Sequence, residues 1–174
     1  MSVNERTKNK NRIRLIALCG IFAAVVFIGT TYLRIPLPIT EGYVNLGDAF
    51  ILIAAYLIGP AAFFPAAIGS ALSDLIGFPD YAIPTFIIKG TMGLVAALIM
   101  SKSHGKKAVS IPVRVLAGII AEAIMVGGYF GYESIRNGGI AVALADVPFN
   151  LIQAGAGIII AIPLTYAIRI KRQK

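Results

Sequence analysis

Four polar side chains interrupt the long apolar segments of this chain at positions where they could bind a small molecule: Lys89, Glu122, Asn150 and Gln153. If each apolar segment is a helix, Asn150 and Gln153 share one helical face because they are three residues apart. An ammonium group, a carboxyl group and two amides can together recognise a small polar ligand. Polar groups inside apolar segments are costly and often mark function. The pattern therefore predicts a binding pocket among three helices.

Three aromatic residues could belong to the same pocket, because each lies close in the sequence to one of these polar residues or at the same end of its apolar segment. They are Tyr43, Phe86 and Tyr129. Their rings would provide a surface on which a planar ligand can stack, although rings close to a membrane interface also serve as anchors. The prolines of the segment RIPLPITEGY, residues 34–43, predict a structured loop that covers this pocket.

A purely structural interpretation of the polar residues is open as well. Lys89 could pair with Glu122 or with Asp74 only to neutralise charges within a membrane. The two amides could form hydrogen bonds between helices, which stabilise membrane proteins by roughly 0.6 to 2 kcal/mol. Asp48 and Asp74 are assigned mainly to such structural roles near the outer surface.

Catalytic and metal chemistry find little support in the sequence. Cys19 and His104 are the only residues of their types, so no thiol or histidine cluster exists to hold a metal. The Gly-Lys pair near His104 lacks the spacing of a phosphate-binding loop. A membrane enzyme would need paired acids with further ligands, and only Asp48 and Asp74 come close. The sequence predicts no enzyme, no cofactor and no metal.

Composition identifies an integral membrane protein. Of the 174 residues, 57% are apolar and only 14% are charged, whereas soluble domains are about a quarter charged. The net charge of +8 comes from basic residues near the amino terminus, around His104 and at the carboxyl terminus, which the positive-inside rule places in the cytoplasm. This distribution of basic residues is typical of a membrane protein and does not indicate nucleic-acid binding.

Hydropathy and turn residues predict one all-α transmembrane domain over residues 1–174, a compact bundle of six membrane-spanning helices with both termini cytoplasmic. Whether the hairpin over residues 44–77 crosses the membrane fully is open, because its first helix is short. The predicted helices are 13–33, 44–59, 60–77, 83–101, 111–131 and 146–170.

A stripe of small residues, Ala17, Gly20 and Ala24, runs along the first helix. Small residues let a second helix approach closely, so this stripe could contact a partner protein. Internal packing is the alternative, because similar pairs occur at positions 93 and 97 and at positions 117 and 121.

The stretch from Tyr43 to Gly77 carries a family resemblance. It begins with N-L-G-D, bends at Gly59-Pro60 and ends with G-S-A-L-S-D-L-I-G. These motifs resemble the second and third helices of the substrate-binding S components of energy-coupling factor (ECF) vitamin transporters. The size and hydropathy of the chain extend the resemblance over nearly its whole length. The resemblance implies six membrane helices. It also implies a patch in helix one similar to A-x-x-x-A. This chain differs there, because Gly20-x-x-x-Ala24 has a glycine in place of the first alanine.

The resemblance implies a substrate-capture subunit in the cell membrane. Such a subunit binds a vitamin outside and delivers it with a transmembrane coupling (T) subunit and two ATPase subunits. The chain looks most like members assigned to hydroxymethylpyrimidine or pyridoxine, and pantothenate is an alternative that would suit Lys89. A stand-alone proton-coupled permease that uses Glu122 and Lys89 as its relay is a further alternative.

Overall fold

The computed structural model describes residues 3–36, 43–102, 110–136 and 139–168. In these ranges the chain forms six α-helices and one two-stranded antiparallel ribbon. The elements are α1 (Val3–Tyr32), β1 (Arg34–Pro36), β2 (Tyr43–Asn45), α2 (Gly47–Ile58), α3 (Phe63–Gly77), α4 (Ala82–Lys102), α5 (Ile111–Arg136) and α6 (Ile140–Ala167).

Three helix boundaries differ from the sequence prediction by five residues or more, and α2 and α3 each begin three residues later than predicted because Tyr43–Asn45 is a strand and Gly59–Ala62 is a 3₁₀ turn. Helix α1 begins at Val3 because half of its first ten residues are Glu, Arg or Lys, which are good helix formers although they are polar. Helix α5 continues to Arg136, and α6 already begins at Ile140. Hydropathy marks where a segment enters an apolar environment, whereas a helix can continue beyond that point.

The chain reverses direction between α2 and α3 through a short 3₁₀ turn, Gly59–Ala62. Gly59 has a φ of 63°, which a residue with a side chain rarely adopts, and Pro60 opens the turn. The start of α2 and the end of α3 consequently lie at the same end of the bundle. They are joined there by a hydrogen bond from Tyr43 to Asp74.

Helices α2 and α3 nevertheless make few contacts with each other. Helix α2 packs against α1, α4 and α6, whereas α3 packs against α1 and α4. Small residues make these approaches possible: a Cβ atom added at Gly69 would lie 2.5 Å from the carbonyl oxygen of Ala23. The most deeply buried apolar side chains include Ile51, Leu52 and Met92, so the core lies around α2 and α4.

Five helical stretches of the described residues are long and apolar enough to cross a membrane. One of them, residues 47–77, contains α2, the 3₁₀ turn and α3 together. The protein is therefore an all-helical membrane protein apart from the small ribbon, and six separate crossings remain a prediction.

Alternating helices run in opposite directions, so the bundle has two distinct ends. At one end lie the β1–β2 ribbon, the start of α4 and the end of α5, where Arg136 pairs with Asp80 at 3.1 Å. We call this the ribbon end. Residues 37–42 of the predicted covering loop, the basic loop 103–109 with His104, and residues 169–174 lie outside the described residues. The predicted cytoplasmic termini likewise stay a prediction.

Candidate functional site

A cavity opens at the ribbon end of the bundle, with about 440 Å³ of empty space including its mouth. The β2 strand, the end of α3, the turn before α4, α5 and α6 all contribute to its wall. The lining residues are Tyr43, Asn45, Asp74, Phe78, Tyr81, Tyr129, Glu133, Asp146, Asn150 and Gln153.

Four aromatic rings form one side of this cavity. Tyr43 and Phe78 lie with their ring centroids 4.9 Å apart, and Tyr81 follows at 6.5 Å from Phe78. Tyr129 lies a further 6.5 Å from Tyr81. The guanidinium of Arg34 stacks over Tyr43 and Phe78, at 5.1 and 5.7 Å from their centroids. The ring planes are inclined to one another by 31°, 90° and 46° along this row, so a planar ligand can meet the face of one ring and the edge of the next.

The phenol of Tyr43 is held by the end of α3. Burial raises the pKa of Tyr43 above its usual range, and the neighbouring Asp74 carboxylate acts in the same direction. The phenol therefore keeps its proton and donates a hydrogen bond to Asp74. This bond attaches the ribbon to α3 and leaves the ring facing the cavity.

At the floor of the cavity lies a cluster of four buried polar residues, Asn45, Asp48, Lys89 and Gln153, which we call the closed network. Asn45 and Gln153 line the cavity, whereas Asp48 and Lys89 are not among the lining residues. Lys89 Nζ lies 2.5 Å from Asp48 Oδ1, and Gln153 Nε2 donates to Asp48 Oδ2 at 2.6 Å. The backbone N–H and the side-chain amide of Asn45 donate to Gln153 Oε1 at 2.8 and 3.1 Å. The network thus ties β2, α2, α4 and α6 together.

The partner of Lys89 is Asp48, and it is neither Glu122 nor Asp74, the two partners considered from the sequence. Lys89 and Asp48 are both buried, at 2% and 0% exposure. The physical reason is that α2 packs against both α4 and α6, so its first turn brings Asp48 between them. The ammonium of Lys89 also lies 5.4 Å from the centroid of the Tyr129 ring.

Two carboxylic acids in the cavity wall have a different environment. Glu133 and Asp146, which we call the acid pair, face each other from α5 and α6 and are 4% and 2% exposed. Neither oxygen of Asp146 has a hydrogen-bonding partner among the described residues, and the same holds for Oε2 of Glu133. Buried polar atoms without a partner are uncommon in proteins and call for an explanation.

Glu122 lies deeper than the cavity and is also without a partner in the part of the chain that the structure describes. Its Oε1 atom and the Cβ atom of Asp48 lie on either side of Gly157. A Cβ atom at position 157 would lie 2.7 Å from the former and 3.2 Å from the latter. A glycine is therefore needed here for the close approach of α6 to α2 and α5.

The structure brings four of the seven predicted ligand-binding residues to the cavity and places three elsewhere. Lys89 and Glu122 lie below it, and Phe86 is 39% exposed with its ring 6.0 Å from that of Phe63. The residues at the cavity are Tyr43, Tyr129, Asn150 and Gln153.

Several lining residues were not among the predicted ligand-binding residues. Helical spacing in the sequence places Asp146 on the same stripe as Asn150 and Gln153, and Glu133 four residues after Tyr129, but it did not identify the two acids as ligand contacts. Asn45 could have been noticed in the N-L-G-D motif. Phe78 and Tyr81 gave no such signal, because a short turn places them.

The stripe of small residues on α1 lies away from the cavity. Ala17, Gly20 and Ala24 are all exposed, and a Cβ atom added at Gly20 would meet nothing within 4 Å. The similar pairs on α4 and α5 are buried instead, since Gly93 lies against Ala62.

Comparison with known proteins gives matches over most of the chain. A family model described as "ECF-type riboflavin transporter, S component" matches residues 10–170. An uncharacterized protein of Pyrococcus woesei is 35% identical over 150 residues, which cover 83% of this chain and 94% of that protein. A UPF0397 protein of Lactiplantibacillus plantarum is 30% identical over 94 residues, 53% of this chain and about half of its own length.

A similar fold is found among solved structures. The S component of a bacterial ECF transporter superposes with a TM-score of 0.68, covering 90% of this chain and 95% of that chain, at 18% sequence identity. At this identity the likeness concerns the fold alone.

Proposed function

Since this chain belongs to the S components of ECF-type transporters, we propose that its cavity captures a small vitamin or vitamin precursor with a planar ring. An S component is a multi-pass membrane subunit that binds the transported substrate and is not an enzyme. The cavity at the ribbon end is the feature that carries the proposal, because it combines four aromatic rings with three amides in one wall.

A ring of the hydroxymethylpyrimidine or pyridoxine type suits this wall. Such a ring can lie against Tyr81 and Tyr129 while Asn150 forms hydrogen bonds to its polar substituents. Gln153 lines the same wall, but its amide is already bound by Asn45 and Asp48 and would support the ligand by holding the wall in place. Riboflavin, which the description of the matching family mentions, also has a planar ring and is the natural ligand to compare. Pantothenate has less support, because it lacks an aromatic ring and because Lys89, the residue that would suit its carboxylate, is engaged by Asp48.

Binding of pure compounds to the purified full chain tests the proposal. Calorimetry with hydroxymethylpyrimidine, pyridoxine, riboflavin and pantothenate should show binding of at least one planar compound and none of pantothenate. Tyr81→Ala should weaken that binding roughly three- to tenfold by removing a stacking surface. Tyr166→Ala, at an exposed ring on α6 outside the cavity, is the matched control. Equal effects of the two variants would exclude this cavity.

Delivery of the ligand needs the energy-coupling machinery, and we assign its docking surface to α1. The exposed stripe of Ala17, Gly20 and Ala24 offers a coupling (T) subunit a face without bulky side chains, and two ATPase subunits would drive the assembly. Few of the side chains of α1 are buried within the chain itself, which leaves this face available.

Gly20→Leu tests the docking surface. Because nothing lies within 4 Å of the position, the isolated subunit should fold and bind ligand as before, whereas uptake with the coupling and ATPase subunits should be lost. Gly69→Leu is the contrasting variant: its side chain would meet the Ala23 carbonyl, so the isolated subunit itself should fail to fold. Normal uptake by Gly20→Leu would place the docking surface elsewhere.

A stand-alone proton-coupled permease is the competing function. Its relay would consist of Lys89 and Glu122, but the Lys89 ammonium is bound to Asp48 and family membership favours energy coupling. Uptake by cells that contain this chain without coupling and ATPase subunits would support the permease. Uptake only in their presence would support the capture subunit.

A further inference from the structure

The wall of the cavity carries acidic groups and no basic ones. Asp74, Glu133 and Asp146 all line it, and no Lys, Arg or His is among its lining residues in the described part of the chain. A binding site generally carries charge complementary to that of its ligand. The sign of the wall therefore disfavours an anionic ligand.

The basic groups near the cavity lie over its aromatic rings and are not themselves lining residues. Lys89 forms its ion pair with Asp48 beneath the cavity floor. Arg136 pairs with Asp80 at 3.1 Å, lies 5.0 Å from the centroid of the Tyr81 ring and interacts electrostatically with Glu133. Arg34 donates to the carbonyl oxygen of Thr31 at 2.7 Å and stacks on the Tyr43 and Phe78 rings. None of these cations lines the cavity together with the acid pair.

The acid pair itself is almost completely buried, and its two carboxyl groups are close enough to share one proton. No other residue in the described part of the chain donates to the two oxygens of Asp146 or to Oε2 of Glu133. Asp74 differs from it, since Asp74 receives the Tyr43 hydroxyl. A bound divalent cation would need about six or more oxygen ligands. No cluster of three or more His, Cys, Asp or Glu side chains with such geometry occurs in the described residues. The unpartnered oxygens of Glu133 and Asp146 therefore suit the N–H groups of an organic ligand better than a metal ion.

We propose that Glu133 and Asp146 form a subsite that selects ligands with a basic, N–H-rich edge, such as an aminopyrimidine or a protonated amine. This inference rests on the proposed function of ligand capture and narrows it to nitrogen bases. Hydrogen bonds between N–H donors and a carboxylate are about twice as strong as those between neutral groups.

Two pairs of matched compounds test the subsite on the purified full chain. Pyridoxamine carries an aminomethyl group where pyridoxine carries a hydroxymethyl group, and 4-amino-5-hydroxymethyl-2-methylpyrimidine is compared with its analogue in which hydrogen replaces the amino group. Wild-type protein should prefer the amino member of at least one pair by about tenfold or more. Absence of any such preference would overturn the subsite.

Conservative variants connect the preference to the two acids. Asp146→Asn and Glu133→Gln should reduce the preference to within about threefold, while the affinity for the hydroxyl or hydrogen member stays within about threefold of the wild type. Asp80→Asn, at an exposed acid of the same end, is the control and should keep the full preference. Equal weakening of both members of a pair would indicate a structural role only, and would contradict the proposal.

Failure of this inference and failure of ligand capture give different results. If the wild type binds riboflavin or pyridoxine tightly and gains nothing from an amino group, ligand capture stands and the nitrogen-base subsite falls. If it binds none of these compounds, both proposals fall. Thermal unfolding of each variant identifies those that fold, and the ratio of two affinities within one folded variant is independent of the amount of active protein.

Discussion

The closed network and the acid pair are two buried polar clusters on the same face of α6, and they differ in how far their hydrogen bonds are satisfied. Gln153 of the closed network is joined to Asn45 and Asp48, and Asp48 is joined to Lys89. Asp146 of the acid pair, seven positions earlier on the helix, has no partner among the described residues. The difference separates a scaffold from a site that is prepared for a ligand.

The two clusters differ in energetic cost, because the hydrogen bonds of the closed network are made and several of those of the acid pair are not. A buried charge is tolerated when it is paired and its remaining hydrogen bonds are made, and such a network fixes the positions of the helices that carry it. Buried acids without donors are costly to keep. A ligand that supplies hydrogen-bond donors would offset this cost. Variants of the closed network should therefore affect mainly stability, with an added effect on binding at Gln153 because it also lines the cavity. Variants of the acid pair should affect mainly ligand binding.

The largest expected effect on stability comes from Lys89→Met. Removal of the ammonium leaves the Asp48 carboxylate buried without its ion-pair partner, so unfolding in detergent should become easier by about 3–5 kcal/mol. The double variant Asp48→Asn with Lys89→Met removes both charges and should recover most of the loss. Chemical denaturation measures both. A Lys89→Met variant as stable as the wild type would show that the closed network does not stabilise the fold.

An intermediate effect is expected at Gln153, and it should exceed that at Asn150. Gln153→Ala removes hydrogen bonds to Asn45 and Asp48, so it should reduce both the stability and the ligand affinity by about 1–3 kcal/mol. Asn150→Ala should reduce the ligand affinity by a similar amount and the stability by less than about 0.5 kcal/mol. Calorimetry and denaturation on the same preparations compare them. Equal losses of stability in the two variants would show that Gln153 and Asn150 do not differ in structural role.

A small stability effect is also expected for Glu122→Gln. This side chain has no hydrogen-bonding partner among the described residues and lies close to Asp48, so a neutral amide of the same shape should leave the protein within about 1 kcal/mol of the wild type or make it more stable. Thermal unfolding in detergent checks this. A loss comparable to that of Lys89→Met would show that Glu122 belongs to the closed network.

Much of the fold could be predicted from the sequence, because hydropathy and turn residues act locally. The reversal at Gly59–Ala62 follows from a glycine and a proline next to each other, and the apolar segments were visible as such. The extension of α1 back to Val3 and the helical start of α6 were missed, since polar helical turns outside an apolar segment leave no hydropathy signal.

The sequence by itself determined that this is an all-helical membrane protein and that Asn150 and Gln153 share one helical face with Asp146, because each of these properties belongs to a single segment. Only the tertiary structure decided which acid pairs with Lys89. It also decided that the small residues around Gly20 are exposed whereas those around Gly93 are packed. Such outcomes depend on which helix lies between two others, here α2 between α4 and α6. That arrangement results from packing over the whole bundle, and the spacing within one segment contains no information about it.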